Sequence, residues 1–285
     1  MTNKRLWVTV TFGVCVGVVN GFCADGAMEA AGVGQSSTKI TVSAKKPSEP
    51  AYDKDADAKR KAAMSSEELA WELVLEKNLR NYLDGYKKNK LAGQETAWDY
   101  VKDNPTLPRV LLIGDSISRG YTLPVRHALA GKANVHRAPR NCGSSDMGAN
   151  MIDYWLLVGG GKWDIIHFNF GIWDRSTKDE VYAANLEKVV EKLKKTGAKL
   201  IWATTTPPAS GNNGEKFTPE QCKRINDIAD AIMKKHGIAI DDLCAFVTPK
   251  LAELQQTNNV HFNDAGYTAL GDKVAAEIQS QLKGK

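Results

Sequence analysis

The chain is poor in the residues that hold metals or staple small folds. Its 285 residues contain five cysteines and five histidines. Cys15 and Cys23 fall in an N-terminal leader, which leaves Cys142, Cys222 and Cys244. No two of these have the CxxC spacing of a zinc or redox site, so neither a metal nor a redox centre of that type is expected. Three cysteines allow at most one disulfide, and spacing does not choose the pair. There is no internal repeat. No Lys/Arg run is interleaved with aromatics, which argues against a nucleic-acid partner. The formal charge of +5 reads as solvated surface that tilts at most towards acidic substrates or cell-surface polymers. Composition is otherwise that of a globular protein, 42% hydrophobic and 25% charged.

Long apolar runs are also missing. The longest is Leu6–Val19, preceded by Lys4 and Arg5 and followed by Gly21, Cys23 and Ala24. A basic start, a short apolar centre and a small-residue exit predict a secretory signal peptide over residues 1–24. The run falls short of the roughly 20 residues a membrane helix needs. A secreted or periplasmic protein with no stable membrane span after cleavage is therefore expected; an uncleaved anchor is the alternative. Phe22 before Cys23 fits a lipidation signal poorly.

Residues 25–60 are rich in Ala, Gly, Ser, Lys, Pro and Asp without hydrophobic periodicity, and predict a disordered linker. Residues 61–108 form a helical extension. Its core is a helix over about 65–90, with Leu75, Leu79, Tyr82 and Tyr86 on one stripe that must pack on something. From Arg109 strand and helix signals alternate. Arg109–Gly114, Val135–Arg137, Asp164–Phe170, Lys199–Thr205 and Ile238–Ile240 read as strands. Helices are expected over 121–129, 147–157, after Thr177 and Thr218 (each opening a capping box), and over 265–282. Repeated βα units with short apolar strands predict an α/β domain over 109–285, a mostly parallel sheet covered by helices on both faces.

In such a sheet functional residues gather beyond the carboxyl ends of the strands. The first of these ends is Gly114-Asp115-Ser116, a serine in a tight turn opening a helix, where amides can stabilise an oxyanion. The competing reading is that Ser116 only caps the helix. Far down the chain, His261 stands in the polar loop Asn258–Asp264 before the last helix, where it can reach the same sheet edge.

Gly114-Asp115-Ser116 paired with His261 in a terminal DxxH-like loop resembles the SGNH/GDSL hydrolase superfamily, across about Arg109 to Leu282. Asn141-Cys142-Gly143 resembles its N-x-G block and Gly171-Ile172-Trp173-Asp174 its G-x-N-D block. The resemblance implies a three-layer α/β/α fold with five strands in the order 2-1-3-4-5. It also implies ester hydrolysis through an acyl-enzyme on Ser116 with His261 as base, the amides of Ser116 and Gly143 as oxyanion donors, and neither metal nor organic cofactor. Two positions depart from the pattern. Trp173 replaces the block-three asparagine, so either its indole N–H donates or its ring walls the acyl pocket, and the amide of Asn169 is a second candidate donor; a hydrogen-bonding structural role for Asn169 and His167 is equally open. Asn258 replaces the DxxH aspartate. The site then works as a Ser–His dyad, uses another orienter, or has lost activity. Asp264 is expected to cap the last helix.

An exported esterase of this kind is expected to act on an acylated glycan or small ester, acetyl esters on polysaccharide first, with Trp155, Trp173 and Trp202 as candidate stacking surfaces. The alternatives are a lipid or lysophospholipid esterase, and a weak or inactive glycan-binding relative.

Overall fold

The computed structural model describes residues 52–209 and 217–283. The expected leader, and the linker up to residue 51, lie outside the described residues. Within the rest of the linker the structure differs from expectation: α1 (Lys54–Ala62) is a helix. Asp53 explains it, accepting from the amides of Asp55 and Ala56 at 3.0 and 2.9 Å. Arg60 then ties α1 to Glu72 of α2 (Ser66–Asn78). A Ser65/Glu68 capping box opens α2. The single helix expected over 65–90 is broken in two. Arg80 adopts φ +48°, Arg80–Tyr82 form one 3-10 turn, and α3 (Leu83–Leu91) follows. The break lets Leu75 and Leu79 meet Tyr86 and Trp98 in a small buried cluster.

Beyond Arg109 the expected architecture is present. β1 (Arg109–Ile113), β2 (Asn134–Arg137), β3 (Ile165–Phe168), β4 (Lys199–Ala203) and β5 (Ala239–Asp241) form one parallel sheet in the order β2-β1-β3-β4-β5. On one side α4 (Ser116–Ala128) packs against α10 (Asp264–Lys283); α5 (Ser145–Leu157), α6 (Asp179–Lys194) and α7 (Pro219–Lys235) pack in succession. Short helices α8 (Leu243–Val247) and α9 (Leu251–Leu254) lead to the last loop. β1 and β3 are buried on both faces because helices cover both, and they are apolar there except at His167.

The Thr218/Gln221 capping box forms, with Pro219 in the first turn. The one expected at Thr177 does not. Helix α6 starts after Lys178 with no side-chain cap, because the Thr177 hydroxyl is turned to Asp174. Two glycines set the spacing of α4 and α10. A Cβ on Gly271 would lie 2.3 Å from Pro124 Cβ and 3.1 Å from the Val125 amide nitrogen, and one on Gly120 would enter the Tyr267 ring. Since α4 begins with Ser116 and α10 follows His261, this close contact brings the two loops to one edge of the sheet.

Candidate active site

Ser116 does not cap α4. Asp115 does, its buried carboxylate accepting from the Ile117 amide at 2.9 Å. The serine hydroxyl is left free, and it lies 2.8 Å from His261 Nε2. The turn that holds it is fixed from behind by Arg137 at the end of β2. That buried guanidinium donates to the carbonyls of Gly114 (3.0 Å) and Asp115 (2.9 Å) and to Ser118 Oγ (2.6 Å). Burial lowers the Arg137 pKa, and burial raises that of Asp115 against the Ile117 amide and the charge of Arg137. Sequence reasoning missed Arg137; the signal was a charged residue within a strand expected to be covered on both faces, which must find partners.

His261 is held in a short hairpin: Gln255 bridges Phe262, and the Gln256 amide donates to the His261 carbonyl at 2.9 Å. The imidazole is oriented by Asn259, not by Asn258. Asn259 Oδ1 accepts from the His261 amide (3.1 Å) and faces Nδ1 at 2.7 Å. Asn258 is exposed at φ +54°, in the left-handed turn that swings the chain back and presents the next side chain to the ring. Asn259 Nδ2 donates to Gln256 Oε1 at 3.3 Å, which fixes the amide with its oxygen towards the imidazole. Nδ1 then carries the proton and Nε2 is the acceptor facing Ser116, a tautomer assigned from this network. Asn263, rather than Asp264, caps α10 by accepting from the Gly266 amide at 2.8 Å.

Cys142 N donates to the Gly114 carbonyl at 3.1 Å, which sets the Asn141–Gly143 turn against the Gly114–Ser116 turn. Gly143 needs its residue type, having φ +65°. Burial pushes the neighbouring Cys142 thiol up to about 11, so it stays a thiol at neutral pH. Asn169 does not face this turn as a donor. Its two amide hydrogens are spent on the Ala203 carbonyl (2.7 Å) and Thr205 Oγ1 (3.2 Å), joining the ends of β3 and β4. Trp173 lies on a 3-10 turn, 52% exposed, walling a cleft that also contains Gly143. Its neighbour Asp174 is buried and accepts from Ser145 N (2.8 Å) and Oγ (2.7 Å), pinning the start of α5. His167 contacts Asp241 at 3.2 Å inside the sheet layer, a structural pair. Trp155 and Trp202 are wholly buried and offer no stacking surface. Among the described residues no three His, Cys, Asp or Glu side chains come together at metal-binding spacing.

Residues 112–269, more than half of the chain, match the GDSL-like lipase/acylhydrolase family, and the protein belongs to that family. Membership carries ester hydrolysis as its general class of activity. The fold is shared with solved structures of low sequence identity. A lipase/acylhydrolase from Enterococcus faecalis is 22% identical with a TM-score of 0.54, over 61% of this chain and 97% of that one. The acetyl xylan esterase AlAXEase is 15% identical with a TM-score of 0.52, over 60% and 99%. The esterase EstA from Pseudoalteromonas sp. is 16% identical with a TM-score of 0.51, over 62% and 100%. A comparison with curated proteins returned no match.

Proposed function

We propose that the protein is an exported serine esterase that removes small acyl groups, acetyl first, from a glycan. The observation that carries the reading is the 2.8 Å approach of Ser116 Oγ to His261 Nε2 across 145 residues of chain. His261 Nε2 takes the hydroxyl proton as Oγ attacks the ester carbonyl. The amides of Ser116 and Gly143 receive the oxyanion, each such donor being worth about 10²–10³ in rate. His261 then protonates the leaving alcohol, and water releases the acyl group from Ser116 by the reverse proton path.

Asn259 replaces a carboxylate in this scheme. In the serine-protease triad the change from Asp to Asn lowers kcat about 10⁴-fold by imposing the wrong tautomer. Here the bond from Asn259 to Gln256 keeps the amide oxygen on Nδ1, so the tautomer is right and only the charge is missing. A slow but competent enzyme follows. The neutral orienter also favours a second reading, a glycan-binding relative with weak turnover. A sugar-borne ester fits because the cleft beside Gly143 sets Arg80, Arg140 and Ser144 among the apolar and aromatic side chains of Leu79, Tyr82 and Trp173, the mixed lining that a carbohydrate's polar edges and apolar ring faces call for. Export rests on the leader; no helix among the described residues is long and apolar enough to cross a membrane.

A fluorophosphonate that reacts only with an activated serine tests the assignment. Stoichiometric labelling at Ser116, with turnover of an aryl acetate, is expected. A folded protein that is neither labelled nor active supports the binding reading.

A further inference from the structure

The extension reaches the site through one turn, and that turn is built unusually. Arg80 is the residue after the C-cap of α2 and adopts φ +48°, a position and conformation where helices ordinarily place glycine. Such unfavourable backbone persists where the surroundings over-determine it, and it clusters at functional sites. The turn is clamped to the hydrolase domain on both sides. Asn78 Nδ2 donates to Tyr154 Oη of α5 at 2.8 Å, and the Arg119 guanidinium of α4 lies over the Tyr82 ring at 4.7 Å.

The turn forms one wall of a cleft of about 420 Å³ whose other wall is the Arg140–Gly143 segment and Trp173. Arg80 and Arg140 both line it, and no acidic residue does. The other described arginines are engaged: Arg60, Arg109 and Arg224 with carboxylates, Arg126, Arg137 and Arg175 with carbonyls, Arg119 with aromatic rings. Among the described arginines, Arg80 and Arg140 alone have a guanidinium with no hydrogen bond, ion pair or ring contact. Burial, and after it the nearby charge of Arg80, lower the Arg140 pKa. Asn141 Oδ1 is buried beside them with no hydrogen-bond partner. Two unpaired guanidiniums and a half-exposed indole match a carboxylate and a sugar ring face.

We propose that Arg80 and Arg140 bind the carboxylate of an acidic sugar, so that the substrate is an ester on a uronate-bearing polysaccharide and the N-terminal extension is its specificity element. The proposal rests on the esterase reading for its chemistry, though the binding it asserts can be measured without turnover.

The test compares O-acetylated polygalacturonate with O-acetylated xylan, and the parent with Arg80→Gln/Arg140→Gln and Arg80→Gly. The parent should favour the acidic polymer by about tenfold in kcat/KM at low salt, and the ratio should fall towards one in 1 M NaCl, where the Debye length is about 3 Å. The double variant should lose the preference, mostly through KM. Arg80→Gly suits the left-handed backbone, so it should fold with Tm unchanged or raised and still lose most of the preference; a merely structural Arg80 would not behave so. Equal turnover of the two polymers by the parent, a preference surviving in the double variant, or faster turnover of an anionic lysophospholipid would overturn the proposal. If no ester is hydrolysed, the esterase reading has failed and affinity for unacetylated polygalacturonate decides. Binding that the double variant loses sustains the cleft, and no binding overturns it.

Discussion

In the extension, Glu72 is as buried as Leu75, whereas in β1 the side chains at that depth are Val110, Leu111, Leu112 and Ile113. The buried Glu72 accepts from Tyr86 Oη at 2.7 Å and pairs with Arg60 at 2.5 Å. Around it Asp57, Lys61, Glu76 and Lys87 form a connected ion-pair network. The apolar cluster at its centre is only Leu75, Leu79, Tyr86 and Trp98. The hydrolase domain is held by apolar area removed from water, at about 25 cal/mol per Å², a force largely indifferent to pH and salt. The extension depends on charges whose partners must all be present, since breaking a buried pair costs more than the pair contributes. One region is therefore a rigid support for chemistry, and the other is a conditional attachment that shapes the cleft.

The largest expected effect separates activity from stability within the domain. Ser116→Ala should lower turnover by at least about 10³-fold while the melting temperature moves by less than about 2 °C, because the hydroxyl packs little. Retained turnover would remove Ser116 from the chemistry; a collapse in stability would mean that the turn needs the hydroxyl to fold.

Next comes Leu75→Ala, at about 2–5 kcal/mol for a fully buried leucine. If the two regions differ as described, hydrogen exchange should quicken in α2 and α3 and stay slow in the sheet. Loss of protection in both would show that extension and domain unfold as one unit.

Acid should divide the regions by sign. In the extension burial alone would raise the pKa of Asp57, but its bonds to Tyr52 and Arg60 and the charges of Arg60 and Lys61 outweigh it, and the pKa is lowered; Glu76 is lowered likewise by Lys61 and Lys87. Groups depressed on folding give stability that is present above the ordinary carboxylate range, about pH 4, and is lost as pH falls through their folded values. In the domain burial raises Asp115 and Asp174, so the folded state takes up protons more readily there and gains stability as pH falls from above that range. Exchange measured in steps from pH 6 to 3 should show α2 loosening while β1 and the start of α5 hold. Simultaneous loosening would contradict the contrast.

The smallest effect concerns the imidazole. Asn259→Asp should raise kcat by about three- to tenfold, as a carboxylate stabilises the cation His261 becomes, and should move the acid limb of the pH–rate profile upward. Asn258→Asp should change neither. The reverse outcome would restore Asn258 as the orienting residue and make the hairpin described here wrong.

Much of the domain was legible because apolar strands covered on both faces and capping boxes are local signals. Gly114-Asp115-Ser116 and His261 could be paired because each stood at a recognisable boundary. The choice between Asn258 and Asn259 was hidden, since it depends on one left-handed residue that shifts a two-residue turn. Asn169 was hidden too: whether an amide is free depends on the neighbouring strand, and here Ala203 and Thr205 take both hydrogens. At Thr177 the local capping pattern was present but Asp174 competed for the hydroxyl and won. The helix over 65–90 was drawn unbroken because no proline or glycine marks Arg80, and the tertiary clamp on Tyr82 has no sequence signature.

The contact of α4 with α10 through Gly120 and Gly271 gives the protein an order of assembly. Ser116 is committed to the first βα unit, whereas the histidine that faces it arrives with the final helix, 145 residues later. On the proposed mechanism, a chain synthesised or threaded only as far as α7 would hold the serine without its base. The approach of His261 to Ser116 is completed only when α10 docks and Gly271 seats against Pro124. Any lesion that keeps those last two dozen residues from docking would also strip the core of Leu270, Val274 and Ile278, so activity and stability should fall together.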